Sequence, residues 1–341
     1  MNGRAESDKK YEELIIKKLS GCSDVLKRYS LDISRHTAST RYYYILHVSD
    51  FLDYLEKNGK DVNDSEIFKN IRKSDVNEYL ESVRYRKMKN DETGEISQVE
   101  LGASFQARRI FAISSFFNYL VQDEIIMKNP CENIEKPKEK VEKEIVYMTK
   151  EDLNKVISNI KNGVGNHMAR EKQKEWRSRD LAILMLGCTT GLRVSSIREI
   201  NLKDIDFEEN YVLVTEKGNK TRKCYFGDSV SKLLQKWIGD RDVLMRGHEN
   251  CDALFVSSRR SRISTKGIEE MISKYSVGLS RRITPHKMRS TCAMNLYDKT
   301  GDIYLVAEVL GHKNIDNTKK YAKATAERRK KAAVLMDRIY S

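Results

Sequence analysis

Four polar side chains in the C-terminal part of the chain have types and a spacing that suit phosphate chemistry. His286 and Arg289 are spaced i, i+3, which places both on one face of a helix. His312 directly follows Gly311, a residue typical of a helix end. Tyr321 follows a pair of lysines, and cations beside a phenol indicate that an anion binds there. Together these residues suit a tyrosine that attacks a phosphate group.

Each of these features also has a common structural explanation. A His-x-x-Arg pair is more often a surface pair than a site, and a buried tyrosine usually belongs to a core. Tyr297, Tyr304 and Tyr340 are the alternatives to Tyr321 as the reacting residue. A phosphate site therefore requires further cations from elsewhere in the chain.

Arg193 and Lys217 are the upstream cations that could complete the site. Arg193 stands between a leucine and a valine, where an arginine is costly unless an anion balances it. Glu199 is the alternative, internal partner for this arginine. Lys217 lies in a predicted hairpin turn, with Lys220 as the rival lysine. A lysine in such a turn is normally just exposed, so neither residue identifies a site alone.

The composition favours a nucleic-acid partner. With 63 Lys and Arg against 50 Asp and Glu, the chain has a formal net charge of +13, and such an excess favours a polyanion. The alternative is a basic protein without such a partner. A hydrophobic fraction of 39% in 341 residues is enough for buried cores and favours two domains over one. The low proline content suits a mostly helical protein.

The cysteines and the apolar runs indicate the compartment. No two cysteines stand at C-x-x-C spacing, so neither a zinc site nor a disulfide framework is predicted. The N-terminus is polar, and no run approaches the ~20 apolar residues of a membrane span. We therefore expect a soluble, cytoplasmic protein with reduced thiols. The cysteines are Cys22, Cys131, Cys188, Cys224, Cys251 and Cys292.

The first domain, residues 1–137, is predicted to be small and all-helical because its apolar residues recur at helical spacing. Helices are predicted over 9–29 with a break at Gly21, 37–55, 74–83 and 104–121, and a polar loop over 87–100. Outer helix faces carry cations and aromatic residues that could contact DNA, with solvated faces as the alternative. The candidates are Arg41, Tyr44, Arg108 and Arg109.

A charged run predicts an exposed linker over 138–146, and the second domain follows over 147–341. Thr149 and Asp152 resemble a capping box at the start of a helix. Strands are predicted over 204–215 and 223–226, and a last helix over 325–341. Basic residues near the hairpin and in a later loop are expected against DNA phosphates. They are Lys220, Arg222, Arg259, Arg260, Arg262 and Lys266.

The order and local context of six polar positions resemble the tyrosine recombinase (phage integrase) family. These positions are Arg193, Lys217, His286, Arg289, His312 and Tyr321. The matching stretches are TTGLRVSSI, TEKGNKTRK, TPHKMRSTCAMNL and LGHKNIDNTKKY, with RYYYILHVSDFLDYL and RRIFAISSFFNYLVQDEIIMKNP in the first domain. His312 and Tyr321 are nine residues apart, as the family pattern requires. The resemblance covers nearly the whole chain.

The resemblance implies a mainly α fold with a small β-sheet. The first domain would be a helical core-binding (SAM-like) DNA-binding domain, and the second would be a mixed α+β catalytic domain with a C-terminal docking helix. About 40 residues before the helix of Arg41 are too few for a separate arm-binding domain. The implied partners are double-stranded DNA and a homotetramer in the synaptic complex, with a monomer when free. The tail helix would dock on a neighbouring protomer or on its own domain.

The resemblance also implies a site-specific DNA recombinase that needs no cofactor and no metal. Tyr321 would attack a DNA phosphodiester to give a 3′-phosphotyrosine and a free 5′-hydroxyl, and this link would store the bond without ATP. Arg193 and Arg289 would clamp the non-bridging oxygens of the phosphate. Lys217 would protonate the leaving 5′-oxygen.

The histidines would support this reaction, and the chain departs from the family pattern beside them. His286 would act as general base or proton relay for the tyrosine, and His312 would hydrogen-bond the scissile phosphate. Ser196 stands where the family usually has an acidic residue that supports the catalytic arginine and histidine. Arg222-Lys223-Cys224-Tyr225 stands where the family often has an R-x-V-P-like strand. By this resemblance the serine would change the support of the reacting groups and leave those groups themselves in place.

Two other functions stay open at this point. The same residues would suit a type IB topoisomerase-like enzyme that nicks and rejoins DNA as a monomer, although the helical first domain argues against it. A DNA-binding accessory protein without catalysis is the other, although all six catalytic positions are filled. Integration and excision of a mobile element, resolution and inversion would all use this core, and the sequence does not choose among them.

Overall fold

The structure is a computed structural model that describes residues 3–89, 94, 96–135, 137, 145–215, 221–248, 250–322 and 333–337. It divides the chain into two compact units, Met1–Lys143 and Glu144–Ser341. Each unit has its own hydrophobic core. Of the linker predicted over 138–146, only residues 145 and 146 are described.

The first unit consists mainly of helices whose bounds lie close to the predicted ones. They are α1 (Gly3–Leu19), α2 (Asp24–Asp32), α3 (Ala38–Lys57), α4 (Lys73–Ser82) and α5 (Ala103–Gln122), with 3-10 helices at Ile33–Arg35 and Ser65–Asn70. The predicted break at Gly21 separates α1 from α2, where this glycine has a φ of 96°. Thr37 caps α3, because its Oγ1 accepts a hydrogen bond from the backbone N–H of Thr40 at 3.4 Å.

The core of the first unit is aromatic. Phe116 of α5 makes edge-to-face contacts with Tyr29 of α2 at 5.4 Å and with Phe68 at 5.6 Å between ring centroids. Phe51 of α3 and Phe117 of α5 lie 5.8 Å apart in the same way. All of these side chains are fully buried. The apolar stripes predicted for α3 and α5 therefore face each other.

A β-hairpin follows α4, where the sequence predicts a polar loop over 87–100. Strand β1 (Tyr85–Lys89) pairs antiparallel with β2 (Ile96–Glu100), and Tyr85 lies opposite Glu100. The loop prediction was wrong. The strand was missed because every residue of β2 is exposed. A ribbon with solvent on both faces needs no alternation of apolar and polar residues, so the pattern that identifies half-buried strands is missing.

The second unit combines helices with a three-stranded antiparallel sheet in the order β3-β4-β5. The helices are α6 (Lys150–Asn162), α7 (His167–Lys174), α8 (Arg177–Thr190), α9 (Val194–Glu199), α10 (Asp228–Leu244), α11 (Thr265–Lys274), α12 (Pro285–Thr300), α13 (Ile303–Leu310) and α14 (Asp316–Lys319). The strands are β3 (Ile205–Asp206), β4 (Tyr211–Thr215) and β5 (Thr221–Tyr225), and 3-10 helices occupy Leu202–Asp204 and Lys320–Ala322. The capping box of Thr149 and Asp152 at the start of α6 is present. The predicted fold class, mainly α with a small β-sheet, is confirmed.

Helix α8 forms the centre of the second unit and packs against α10 and α12. Its residues from Leu181 to Leu184 are all buried, so this helix is apolar around its circumference rather than along one face. Asp180 is fully buried near its start, where it accepts hydrogen bonds from Arg179 at 2.7 Å and from the Tyr275 hydroxyl at 2.9 Å. Among the described helices of the chain, none is long and apolar enough to cross a membrane.

Candidate active site

The turn after α8 brings Arg193 close to the end of α13. Gly191 ends α8 in the left-handed conformation, with a φ of 62° that favours glycine. A Cβ atom at this position would collide with the side chain of Leu310, the last residue of α13. The two helix ends therefore approach each other as closely as a glycine allows, and Arg193 follows at the N-cap of α9.

Arg289 joins these two helix ends from α12. Its guanidinium donates from Nη1 to the carbonyl oxygen of Gly191 and from Nη2 to that of Leu310 at 2.6 Å. Carbonyls at helix C-termini lack a partner within their own helix, so this cation satisfies groups that α8 and α13 leave open. Arg289 is 4% exposed. Burial and the nearby charge of Arg193 lower the pKa of Arg289 to about 10, and the guanidinium remains charged at neutral pH.

Other guanidinium groups extend this positive charge. Arg193 is exposed, and its side chain makes no hydrogen bond or ion pair to any residue in the described ranges. Glu199, the alternative partner predicted for it, instead accepts a hydrogen bond from Arg198 at 2.6 Å. Arg222 is half-buried on β5, and its charge also lowers the pKa of Arg289. The group has the composition of an anion site in which one arginine is free to bind a ligand.

His286 is the second residue of α12, the helix of Arg289, after Thr284 at the N-cap and Pro285 at the first helical position. Part of the ring is exposed. Partial burial, followed by the charges of Lys320 and Arg289, lowers the pKa of His286 below its ordinary value. The imidazole is therefore neutral at pH 7 and can accept a proton.

His312 is held in place by a buried threonine. Gly311 ends α13 with a φ of 64°, as the sequence predicts for a helix stop. The half-buried ring of His312 follows, and its Nδ1 lies 2.7 Å from Oγ1 of Thr318, which is fully buried. This contact fixes the orientation of the ring and therefore the direction of Nε2.

Tyr321 is buried beside these charges. It lies in the 3-10 helix Lys320–Ala322 and is 1% exposed, packed with Met294, Val306 and Leu310. Its phenol is close enough to Arg289 to raise the pKa of that guanidinium when ionised. Tyr321 is therefore a core residue, which is the common role of a buried tyrosine. It also lies next to a cation site. Among the alternatives, Tyr304 is 75% exposed.

The structure places Arg193, His286 and Tyr321 near Arg289. His312 follows two residues after Leu310, whose carbonyl Arg289 binds. Lys217, its rival Lys220 and the alternative tyrosine Tyr340 lie outside the described residues. The half-buried Lys320 is a member of this charge cluster that the site prediction missed, because its charge acts on His286 and its Nζ lies 4.9 Å from the centroid of the Tyr321 ring. Its place directly before Tyr321 was the available signal.

The basic candidates of the first unit differ in how far they are engaged within it. Arg41 forms an ion pair with Glu12 at 2.7 Å, and the ring of Tyr44 lies 5.9 Å from that of His36. Arg109 donates to the Tyr79 hydroxyl at 3.0 Å. Arg108 is exposed. Of these predicted DNA contacts, Arg108 has the side chain that is most accessible to a ligand.

The basic residues at 259–262, before α11, also include both side chains engaged within the unit and accessible ones. Arg260 pairs with Glu175 at 3.2 Å, and Arg262 donates to the Arg198 carbonyl at 2.7 Å. Arg259 is exposed, whereas Lys266 on α11 is exposed and lies 3.7 Å from a carboxylate oxygen of Glu270. Arg262 thus supports the end of α9 from within the unit. Arg259 and Lys266 have the accessible charges.

Sequence comparison identifies relatives that match most of the chain. A profile described as "Phage integrase family" matches residues 122–328. A tyrosine recombinase XerC of Caldanaerobacter subterraneus subsp. tengcongensis is 31% identical over 281 residues, which are 80% of this chain and 74% of the relative. A tyrosine recombinase XerC of Syntrophus aciditrophicus is 28% identical over 307 residues, which cover 87% of this chain and 91% of the relative.

Solved structures share the fold. The XerH site-specific recombinase bound to palindromic difH substrate, in a post-cleavage complex, has a TM-score of 0.68 and 20% identity, over 96% of this chain and 89% of that one. The Tn1549 transposon integrase, in complex with a circular intermediate DNA, has a TM-score of 0.64 and 20% identity, over 93% of this chain and 100% of that one. At this level of identity the similarity concerns the fold alone.

Proposed function

The chain belongs to the phage integrase family and is a site-specific tyrosine recombinase, and we propose that it cuts and rejoins double-stranded DNA through a covalent bond to Tyr321. The observation that carries this proposal is the position of Tyr321 against Arg289. That arginine joins the helix ends that precede Arg193 and His312. Arg289 and Lys320, from separate segments, therefore both lie near the phenol of Tyr321.

In the proposed cleavage step, Oη of Tyr321 attacks the phosphorus of a DNA phosphodiester. The bond between phosphorus and the 5′-oxygen breaks, and a 3′-phosphotyrosine forms. The 5′-oxygen leaves with a proton from Lys217. Rejoining is the reverse attack by the 5′-hydroxyl of a strand, which releases the tyrosine. The phosphodiester bond is exchanged and not hydrolysed, so the reaction consumes no ATP.

The arginines stabilise the transition state. Arg193 and Arg289 bind the non-bridging oxygens, where negative charge develops as the fifth oxygen approaches. A planar guanidinium fork matches two phosphate oxygens. Arg289 is already fixed by its two carbonyl partners, so it loses little freedom on binding. The exposed Arg193 completes the clamp when DNA arrives.

The histidines handle protons. A phenol with a pKa near ~10 is a poor nucleophile at neutral pH, so Tyr321 needs a proton acceptor. His286 fits this role because its lowered pKa keeps the ring neutral. Nδ1 of His312 lies against Oγ1 of Thr318, and in this scheme the oriented ring would hydrogen-bond the phosphate. Ser196 takes no part in this scheme.

The proposed partner is double-stranded DNA. The net charge of +13 favours a polyanion, and the solved structures that share the fold are described as bound to DNA. The first unit would bind DNA as a core-binding domain, with Arg108 among its contacts. Synapsis would assemble four protomers on two duplexes. The reaction would serve integration and excision of a mobile element or resolution of joined DNA.

The test is a nicked suicide DNA substrate that traps the covalent intermediate. We expect a protein–DNA adduct, seen as a band of reduced mobility in a denaturing gel, that disappears in Tyr321→Phe. Tyr297→Phe is the matched control, since Tyr297 packs at the edge of the same cluster, and it should retain the adduct. Sequencing the DNA recovered with the adduct would identify the target site.

Other outcomes would contradict the proposal. An adduct that persists in Tyr321→Phe would move the nucleophile to Tyr297, Tyr304 or Tyr340. Adducts on DNA of any sequence, with relaxation of supercoils by a monomer, would indicate a type IB topoisomerase-like enzyme. Tight DNA binding without any adduct would indicate a catalytically silent accessory protein.

A further inference from the structure

Lys320 and its neighbour Lys319 lie in contrasting surroundings. The Nζ of Lys319 pairs with Asp316 at 2.6 Å, and 66% of this side chain is exposed. Lys320 is half-buried, and its Nζ lies 4.9 Å from the centroid of the Tyr321 ring. Within the described parts of the chain its ammonium has no hydrogen bond and no ion pair. Two adjacent lysines thus differ in whether a carboxylate compensates their charge.

The ammonium of Lys320 stands among other cations. Its charge acts on His286, as does that of Arg289, and Arg289 in turn is subject to the charges of Arg193 and Arg222. No carboxylate is among the groups that shift the pKa of His286 or Arg289 in the described ranges. Like charges at short range destabilise a fold unless an anion joins them. The cluster therefore favours the binding of an anion close to the Tyr321 ring.

Resting on the proposed function, we propose that Lys320 is a positioning residue of the cleavage step. Its ammonium stabilises the phenolate that Tyr321 forms during attack, and it keeps His286 uncharged so that this ring can take the phenolic proton. Lys320 acts through these two side chains, and it forms no bond with the phosphate. Lys319, paired with Asp316, has no part in the step.

Both effects act in the same direction. A cation near a phenol favours its ionised form, and a cation near an imidazole disfavours the protonated ring. Loss of the charge would therefore remove the cation beside the Tyr321 ring and make His286 a stronger base that is protonated at higher pH. In the described structure, Arg289 acts on His286, while Arg193, Arg222 and Cys292 act on Arg289. Tyr147 and Tyr297 pack against the cluster that contains Tyr321.

The test compares Lys320→Met with Lys319→Met and Lys320→Arg in the full chain. Methionine keeps the apolar stem that covers the Tyr321 ring and removes the charge. The rate of adduct formation is measured in single turnover on the nicked substrate, at saturating protein, between pH 6 and pH 9.5. For Lys320→Met we expect about a tenfold loss at pH 7 and a shift of the rising limb by about one unit to higher pH. Lys320→Arg should restore the profile, and Lys319→Met should leave it unchanged.

A Lys320→Met profile that matches the unsubstituted protein would overturn the role of Lys320, while the Tyr321-dependent adduct would leave the proposed function standing. An unshifted profile with weaker DNA binding and a salt dependence reduced by about one ion would also overturn it, since Lys320 would then contact a phosphate. Equal losses in Lys320→Met and Lys320→Arg would show a packing role and contradict the proposal. Absence of any adduct in the unsubstituted protein would refute the proposed function and, with it, the role of Lys320.

Discussion

Arg289 combines a structural and a proposed chemical role in one side chain. A charged group that is 4% exposed is costly without partners. The carbonyls of Gly191 and Leu310 provide them, and they also fix the guanidinium in one orientation. A pKa lowered only to about 10 keeps it charged at neutral pH. At the residue scale the protein thus holds a cation ready for an anion before any ligand binds.

Arg289→Lys tests this combination because lysine keeps the charge and removes the planar fork. We expect adduct formation to slow by about 10²–10³-fold and the free energy of unfolding to fall by about 1–3 kcal/mol, since at least one helix-end carbonyl loses its donor. Single-turnover kinetics and urea denaturation measure the two effects. Arg281→Lys, at an exposed position before α12, should change neither. A loss of stability without a loss of rate would contradict the catalytic role.

The helix ends are the elements that assemble the site. Helices α8 and α13 both stop in left-handed glycines, Gly191 and Gly311, and the residues that follow them include Arg193 and His312. Helix α12 crosses both ends and supplies Arg289. The geometry depends on how closely α8 and α13 approach, and Gly191 sets that limit through its contact with Leu310.

Gly191→Ala should therefore disturb both stability and activity. A positive φ and a collision with Leu310 should destabilise the second unit by about 2–4 kcal/mol, measured by urea denaturation. Gly239→Ala is the control, because Gly239 lies in the exposed interior of α10 with no atom near its Cβ position. That substitution should stabilise by about 0.5–1 kcal/mol. Equal changes in the free energy of unfolding for both substitutions would argue that Gly191 does not limit the approach of α8 and α13.

At the scale of the whole molecule, the state described here keeps Tyr321 away from solvent. The tyrosine is 1% exposed, whereas the described tail segment, residues 333–337, is helical and exposes Val334, Leu335 and Met336. The tail helix predicted over 325–341 otherwise lies outside the described residues. In the proposed reaction the phenol would have to become accessible to DNA. We propose that docking of the tail during assembly controls this movement.

Removal of the tail after Lys323 tests the control by assembly. We expect recombination between two DNA sites to fall by about a hundredfold, because the tail would no longer link neighbouring protomers. Binding to a single DNA site should be retained. Recombination assays measure the first effect, and gel shifts measure the binding to a single DNA site. A triple substitution of Val334, Leu335 and Met336 by serine should have a similar effect without shortening the chain. Recombination that survives truncation would refute the role of the tail.

The sequence by itself determined the features that depend on residues close together in the chain, namely helices, helix ends and caps. Helical periodicity predicted α3 and α5, Gly311 marked the end of α13, and Thr149 and Asp152 predicted a capping box that is present. The order of polar residues indicated the family. These features follow from spacings of a few residues, which a sequence displays directly. The exposed hairpin β1–β2 escaped because strands without a buried face have no such pattern.

Only the tertiary structure decided which charges meet. Lys319 and Lys320 are equivalent in the sequence, yet one pairs with Asp316 and the other faces the Tyr321 ring. Arg289 could have been a surface residue, and its partners, Gly191 and Leu310, lie far from it in the chain. Burial and long-range contact set these environments, because the cost of a charge depends on what surrounds it and not on its position in the sequence.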